Sequence, residues 1–241
     1  MSEKGIVRAF IDSILTPETR DTVVDWAEVG LDRILDNEAV KELPVVKTIL
    51  AVRKGILGLK GSHLVQKIIR FLKRLEDVSE DEKKAFLEKL ATDEKYTTQV
   101  MDNLLLLLDR LDDADKATIV GELFKSLIRG SLTVDEFKKL SSIVEKAFIS
   151  DLQALMKVGK NFGSLKFAKP KALTSDIMKQ LAALGLLTEL IMANNLVHQA
   201  RYGGGAPPSY HFEYTINPLG AKFLTACEPL RRNGTKHSVV E

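Results

Sequence analysis

Apolar residues recur along most of this chain at intervals of three and four, the spacing that gathers them on one face of a helix. Ile6, Val7, Phe10, Ile11, Ile14 and Leu15 predict a first helix, and Thr16-Pro17 reads as the start of a second, carrying Val23, Val24, Ala27, Leu31, Ile34 and Leu35. Trp26, the only tryptophan, is placed as an anchor for that helix. Pro44 opens a third apolar segment, 45–59, with Val45, Val46, Ile49, Leu50, Val52, Ile56, Leu57 and Leu59; Gly55, Gly58 and Gly61 mark either its end in a turn near 58–61 or a close approach of a partner backbone. Ser62 then caps a helix with Leu64, Ile68, Phe71, Leu72 and Leu75 inward, and Ser79 with Glu82 forms a capping box for the next. Residues 100–111 contain five consecutive leucines, so a helix there is apolar all round. The run is far short of the roughly 20 residues a membrane span needs, which predicts a buried rod at the centre of a bundle.

Asp112 or Asp113 caps a helix with Ile119, Val120, Leu123, Phe124, Leu127 and Ile128 inward, and Gly130 stops it. Thr133 and Glu136 make a second capping box, from which the period runs through Phe137, Leu140, Val144 and Leu152 to about Met156. The pattern then changes. Gly159, Gly163 and Pro170 break the period in a lysine-rich stretch, a helix follows from Thr174 or Ser175 to about Leu187, and 196–202 and 209–216 flank a glycine-proline run as a hairpin. Asn217-Pro218 starts a last helix to about Cys227. The expected class is mainly α: a multi-helix bundle over residues 1–157, a basic linker over 158–173, a small α+β domain over 174–230 and a flexible tail over 231–241.

Charge refines this picture through its zoning, since the total is only +2. Residues 41–75 hold nine bases and one acid, residues 76–115 thirteen acids and five bases, and residues 157–241 eleven bases and five acids. Either the basic zone packs beside the acidic one and is neutralised, or it presents a face to phosphates on nucleic acid or a membrane. Lys67, Arg70, Lys73 and Arg74 form its cleanest stripe. The single cysteine, Cys227, excludes an intrachain disulfide and suits a reducing cytoplasm. Charges interrupt the N-terminus too early for a signal peptide.

The sequence offers little chemistry for an enzyme. It has no phosphate-binding glycine loop, no nucleophile elbow and no paired His or Cys spacing for zinc. The stretch from Gly130 to Glu136 matches half of a calcium loop, but the earlier ligand positions fall on Lys125, Leu127 and Arg129, so helix capping explains it better. No cofactor or metal is implied, and the expectation is a non-enzyme.

Leu184-Gly185-Leu186-Leu187, followed by Tyr214-Thr215-Ile216-Asn217-Pro218-Leu219-Gly220, resembles the second half of a winged-helix module. The resemblance implies a helix, a glycine turn, a two-stranded wing and a last helix. It also implies a role in binding DNA or a protein, and fold alone does not choose between them. The helix that would read a groove offers only Ser175, Lys179 and Gln180 as polar reach. The helical portion resembles uncharacterised bacterial helical proteins, including tellurite-resistance TerB-like bundles, without their acidic metal-binding positions. The expectation is a regulatory or interaction protein whose nucleic-acid contacts are Lys160, Lys166, Lys169, Lys171, Lys179, Arg201 and Lys222. The alternative is a bacterial stress or phage-defence protein lying on a membrane surface through residues 45–74.

Overall fold

The structure is a computed structural model, and it describes residues 3–15, 38–52, 59–92, 100–101, 103–159, 173–194 and 209–230. The chain is mainly helical, with a small two-stranded antiparallel sheet near the C-terminus. It divides into two compact units, residues 1–145 and 146–241. The expectations for Trp26 and residues 16–37, for the glycine turn at 55–58, for the linker over 160–172 and for the tail lie outside the described residues.

In the first unit the helices are α1 (Glu3–Leu15), α2 (Glu38–Glu42), α3 (Pro44–Val52), α4 (Leu59–Lys73), α5 (Glu80–Thr92), α6 (Asn103–Arg110), α7 (Ala114–Ile128) and α8 (Val134–Lys146). Their starts follow local chemistry. Ser79 Oγ accepts from Glu82 N while Glu82 returns its carboxylate to Ser79 N, and Thr133 with Glu136 does the same. Asp113 caps α7 by accepting from Asp115 N at 2.7 Å. α4 begins at Leu59, so Ser62 lies inside the helix that the sequence has it capping.

The centre of this unit is α7, where the leucine run leads one to expect residues 100–111. α6 buries Leu104, Leu107 and Leu108, and Val100 and Met101 ahead of it are buried too, but Leu106 is left 54 % exposed. Five leucines in a row overfill the one face that packs. α7 instead buries side chains on every side, among them Lys116, Glu122 and Lys125. Its Phe124 ring lies 5.3 Å from Phe71 of α4, 5.4 Å from Phe86 of α5 and 5.7 Å from Phe137 of α8, and Phe71 reaches Phe10 of α1 at 5.5 Å. Four helices are thus tied to α7 through tilted and edge-on aromatic contacts, the arrangement ring quadrupoles favour. α4 lies closest along α7: a Cβ on Gly121 would come within 2.7 Å of Arg74 Cβ and 2.9 Å of Phe71 O.

The helix expected from Thr133 to Met156 is broken at Ala147-Phe148, where Phe148 is extended (ψ 137°) and opens α9 (Ile149–Val158). The division between units falls just before this break, so α9 belongs to the second unit and not to the bundle. There α10 (Ser175–Ala183) is capped by Thr174 and ends at Gly185, whose φ of 88° is a left-handed turn. β1 (Leu187–Asn194) and β2 (Ser209–Ile216) then pair antiparallel, Leu187 opposite Ile216 and Asn194 opposite Ser209. The strand that pairs with β2 therefore directly follows Leu186; the strand expected over 196–202 lies outside the described residues. α11 (Pro218–Ala226) is capped by Asn217, whose Oδ1 accepts from Gly220 N and whose Nδ2 donates to Gly185 O, each at 2.8 Å. Gly220 sits against Leu186 O so closely that a Cβ would stand 2.1 Å away. Leu181, Leu186, Leu187, Phe223 and Cys227 are buried at the root of the ribbon.

Candidate functional site

Antiparallel register sorts the ribbon side chains into two faces, since directly opposed residues share a side. One face carries Leu187, Glu189 and Ile191 with Ile216, Tyr214, Phe212 and Tyr210; the other carries Thr188, Leu190 and Met192 with Thr215, Glu213 and His211. Only the root is covered. Beyond Leu187, Ile191 is 69 % exposed, its partner Phe212 47 % and Tyr210 62 %, and on the opposite face Leu190 and Met192 are also exposed. Apolar residues keep to one covered face of a half-buried ribbon; here large apolar side chains stand exposed on both faces, beside Thr188, His211, Glu213 and Thr215 on the second.

The charged groups of the ribbon are held locally. Tyr214 Oη donates to Glu189 Oε1 at 2.6 Å, and burial, then this carboxylate, pushes its pKa up to about 12. His211 Nε2 lies 3.3 Å from Glu213 Oε1. Among the described residues of the ribbon the formal charges are acidic, Glu189 and Glu213.

The cations expected to contact nucleic acid are only partly brought into view. Lys179 is exposed on α10 and Lys222 on α11. Lys160, Lys166, Lys169, Lys171 and Arg201 lie outside the described residues. α10 presents Ser175, Asp176, Lys179 and Gln180 to solvent, with Asp176 in its first turn. An acid at that end opposes phosphate binding by the helix dipole.

The stripe on α4 is turned toward its neighbours. Lys67 is buried, and its Nζ donates to Asp109 O and Leu111 O, both at 2.8 Å, closing the C-terminal end of α6. Burial lowers its pKa, against the opposing pull of Asp109 and Asp112. Arg70 pairs with Asp115, and Arg74 lies 3.4 Å from the buried carboxylate of Glu122. Lys73 is half-buried. The side chains that a membrane-surface helix would offer to lipid, Val45, Val46, Ile49, Leu64, Ile68 and Leu72, are in the core. No helix among the described residues is long and apolar enough to cross a membrane. Among the same residues no three His, Cys, Asp or Glu side chains gather as a metal site.

The ribbon residues Leu190, Ile191, Met192, Tyr210 and Phe212 were not among the candidates that charge and motifs select. The legible signal was the alternation of β-branched and aromatic residues in 209–216; the partner strand was hidden because 187–194 reads equally well as the end of a helix. Comparison of the chain with protein-family models, curated proteins and solved structures finds no match.

Proposed function

We propose that residues 174–230 form a winged-helix-like module and that the chain is a non-enzymatic interaction protein whose ribbon docks another protein. One observation carries the reading. Seven large apolar side chains are exposed among the described residues, and five of them, Leu190, Ile191, Met192, Tyr210 and Phe212, stand on this ribbon. Soluble proteins scatter such residues singly; their concentration on one element marks a contact surface. Tyr, Phe and Met are the side chains enriched at the centre of protein interfaces. A two-stranded ribbon is also marginal in water on its own, so an occupant on either face adds stability as well as contact.

Supporting the module is the order of its parts: α10, the Gly185 turn, β1, β2, then Asn217-Pro218 opening α11. Nucleic acid is the second reading, favoured by the eleven bases against five acids over residues 157–241. The two readings separate cleanly. The full-length protein is used as bait beside a ribbon variant, Ile191→Ser with Phe212→Ser, and a cation variant with Lys160, Lys166, Lys169, Lys171, Lys179, Arg201 and Lys222 changed to Ala. A protein partner held by the original chain and the cation variant, and lost by the ribbon variant, is the expected result. Binding of a mixed-sequence DNA duplex that weakens steeply with salt, and that only the cation variant loses, would overturn it in favour of nucleic acid.

A further inference from the structure

In the first unit a cleft of about 130 Å³ lies where α6 meets α8. Its floor is apolar, built from the buried side chains of Leu104, Leu107 and Phe137. Its wall on α8 is polar: Lys138, Ser141 and Glu145 follow at spacings of three and four, which puts them on one side of the helix. Two of these groups are uncommitted. Ser141 is 3 % exposed and its hydroxyl has no hydrogen-bond partner among the described residues. Lys138 is half-buried and makes no ion pair among them. Glu145 is taken, because Arg110 grips it through Nε at 2.8 Å and a second nitrogen at 3.4 Å. That bidentate pair closes one end of the cleft and neutralises both partners.

We infer that this cleft binds a small organic carboxylate with a compact apolar body, of about the size of benzoate. The volume is close to that of cavities that accept a single aromatic ring. Among the described residues lining the cleft, the Lys138 ammonium supplies the one unbalanced charge and selects an anion. The Ser141 hydroxyl lies sealed beside the cleft, and rotation about its Cα–Cβ bond on binding turns it to donate to a carboxylate oxygen, which relieves a buried donor that is costly to leave unpaired. Leu104, Leu107 and Phe137 take the apolar body. Inorganic phosphate suits the cation but wastes the apolar floor, and an organic cation is repelled.

The test is a titration of the full-length protein with benzoate, benzamide and benzylamine, followed by backbone amide shifts and by Tm. Benzoate is expected to give saturable shifts on 103–110 and 137–145 and to raise Tm. Benzamide should bind about tenfold more weakly and benzylamine not at all. Ser141→Ala removes an unpartnered buried hydroxyl, so it should keep or raise the Tm of the free protein while weakening benzoate about tenfold. Lys138→Gln should keep the fold and weaken benzoate to a similar degree. The proposal is overturned if benzoate gives no saturable shifts on those two helices at millimolar concentration, if the three probes bind alike, or if Lys138→Gln binds benzoate as the unchanged protein does.

Discussion

Glu122 is the residue at which the interior of the first unit is most finely balanced. It is 1 % exposed, and its carboxylate lies 2.7 Å from Lys125 Nζ and 3.4 Å from Arg74. Burial raises its pKa above the ordinary glutamate value, against the opposing pull of Lys125 and then Arg74. The protonated form therefore suits the fold better than the charged one. A group with a raised folded pKa contributes stability that is full below its unfolded pKa and is lost as pH rises through the folded value. Glu122→Gln mimics the protonated form, so it should match the unchanged protein near pH 4 and gain on it toward pH 7 in urea midpoints. A loss of more than about 2 kcal/mol at pH 7 would instead make the stranded Arg74 and Lys125 the dominant effect. Lys67 is different, since its ammonium satisfies two carbonyls at the end of α6. Lys67→Met keeps the stem and leaves those carbonyls unmet, and should cost about 1–3 kcal/mol in urea unfolding.

Among the elements, the closest approaches are made by glycines. Gly121→Ala pushes a methyl against Phe71 O and the Arg74 stem, which should cost about 1–3 kcal/mol by separating α4 from α7. Gly220→Ala meets the Leu186 carbonyl at 2.1 Å, a backbone atom that cannot yield. It should cost about 3 kcal/mol or more and strip hydrogen-exchange protection from the β1–β2 amides, while Asn217→Ala should cost about 1 kcal/mol. The elements themselves were largely legible. Capping at Ser79, Thr133, Thr174 and Asn217 could be read because each signal is local, fixed by residues three apart. The choice of central helix could not. The leucine run announces burial, but the burial of α7 depends on Lys116, Glu122 and Lys125 finding partners from distant segments: Glu145 O, Arg74 and Asp77. Polar residues read as surface until those partners are placed. The break at Ala147-Phe148 carries no glycine, no proline and no side-chain cap, so apolar period alone runs straight through it.

Among the described residues of the first unit, charge zoning acts chiefly inward. The basic zone 41–75 meets acids of the next segments through Arg70–Asp115 and Arg74–Glu122, and Arg129 reaches back to Glu82 and Asp77. Raising salt from about 0.05 to about 0.5 M should therefore lower the urea stability of the first unit by about 1 kcal/mol, since several of these pairs are partly exposed and screened. An increase in stability would mean that self-repulsion, and not pairing, governs the zones. Net charge by segment could be read from the sequence, but whether a base faces water or an acid depends on helix packing. For that reason the sequence leaves the stripe at Lys67, Arg70 and Arg74 open between neutralisation by the acidic zone and a face for phosphates.

The ribbon also has a bearing on how the protein behaves in concentrated solution. A strand pair with no further strand on its edges among the described residues, and with large apolar side chains exposed, is a template on which further strands can stack. Glu189 and Glu213, one on each strand, are the acidic gatekeepers that make such stacking bring like charges together. Removing both, as Glu189→Gln with Glu213→Gln, leaves every buried contact in place yet should lower the concentration at which the chain precipitates, and acidification should do the same to the unchanged protein.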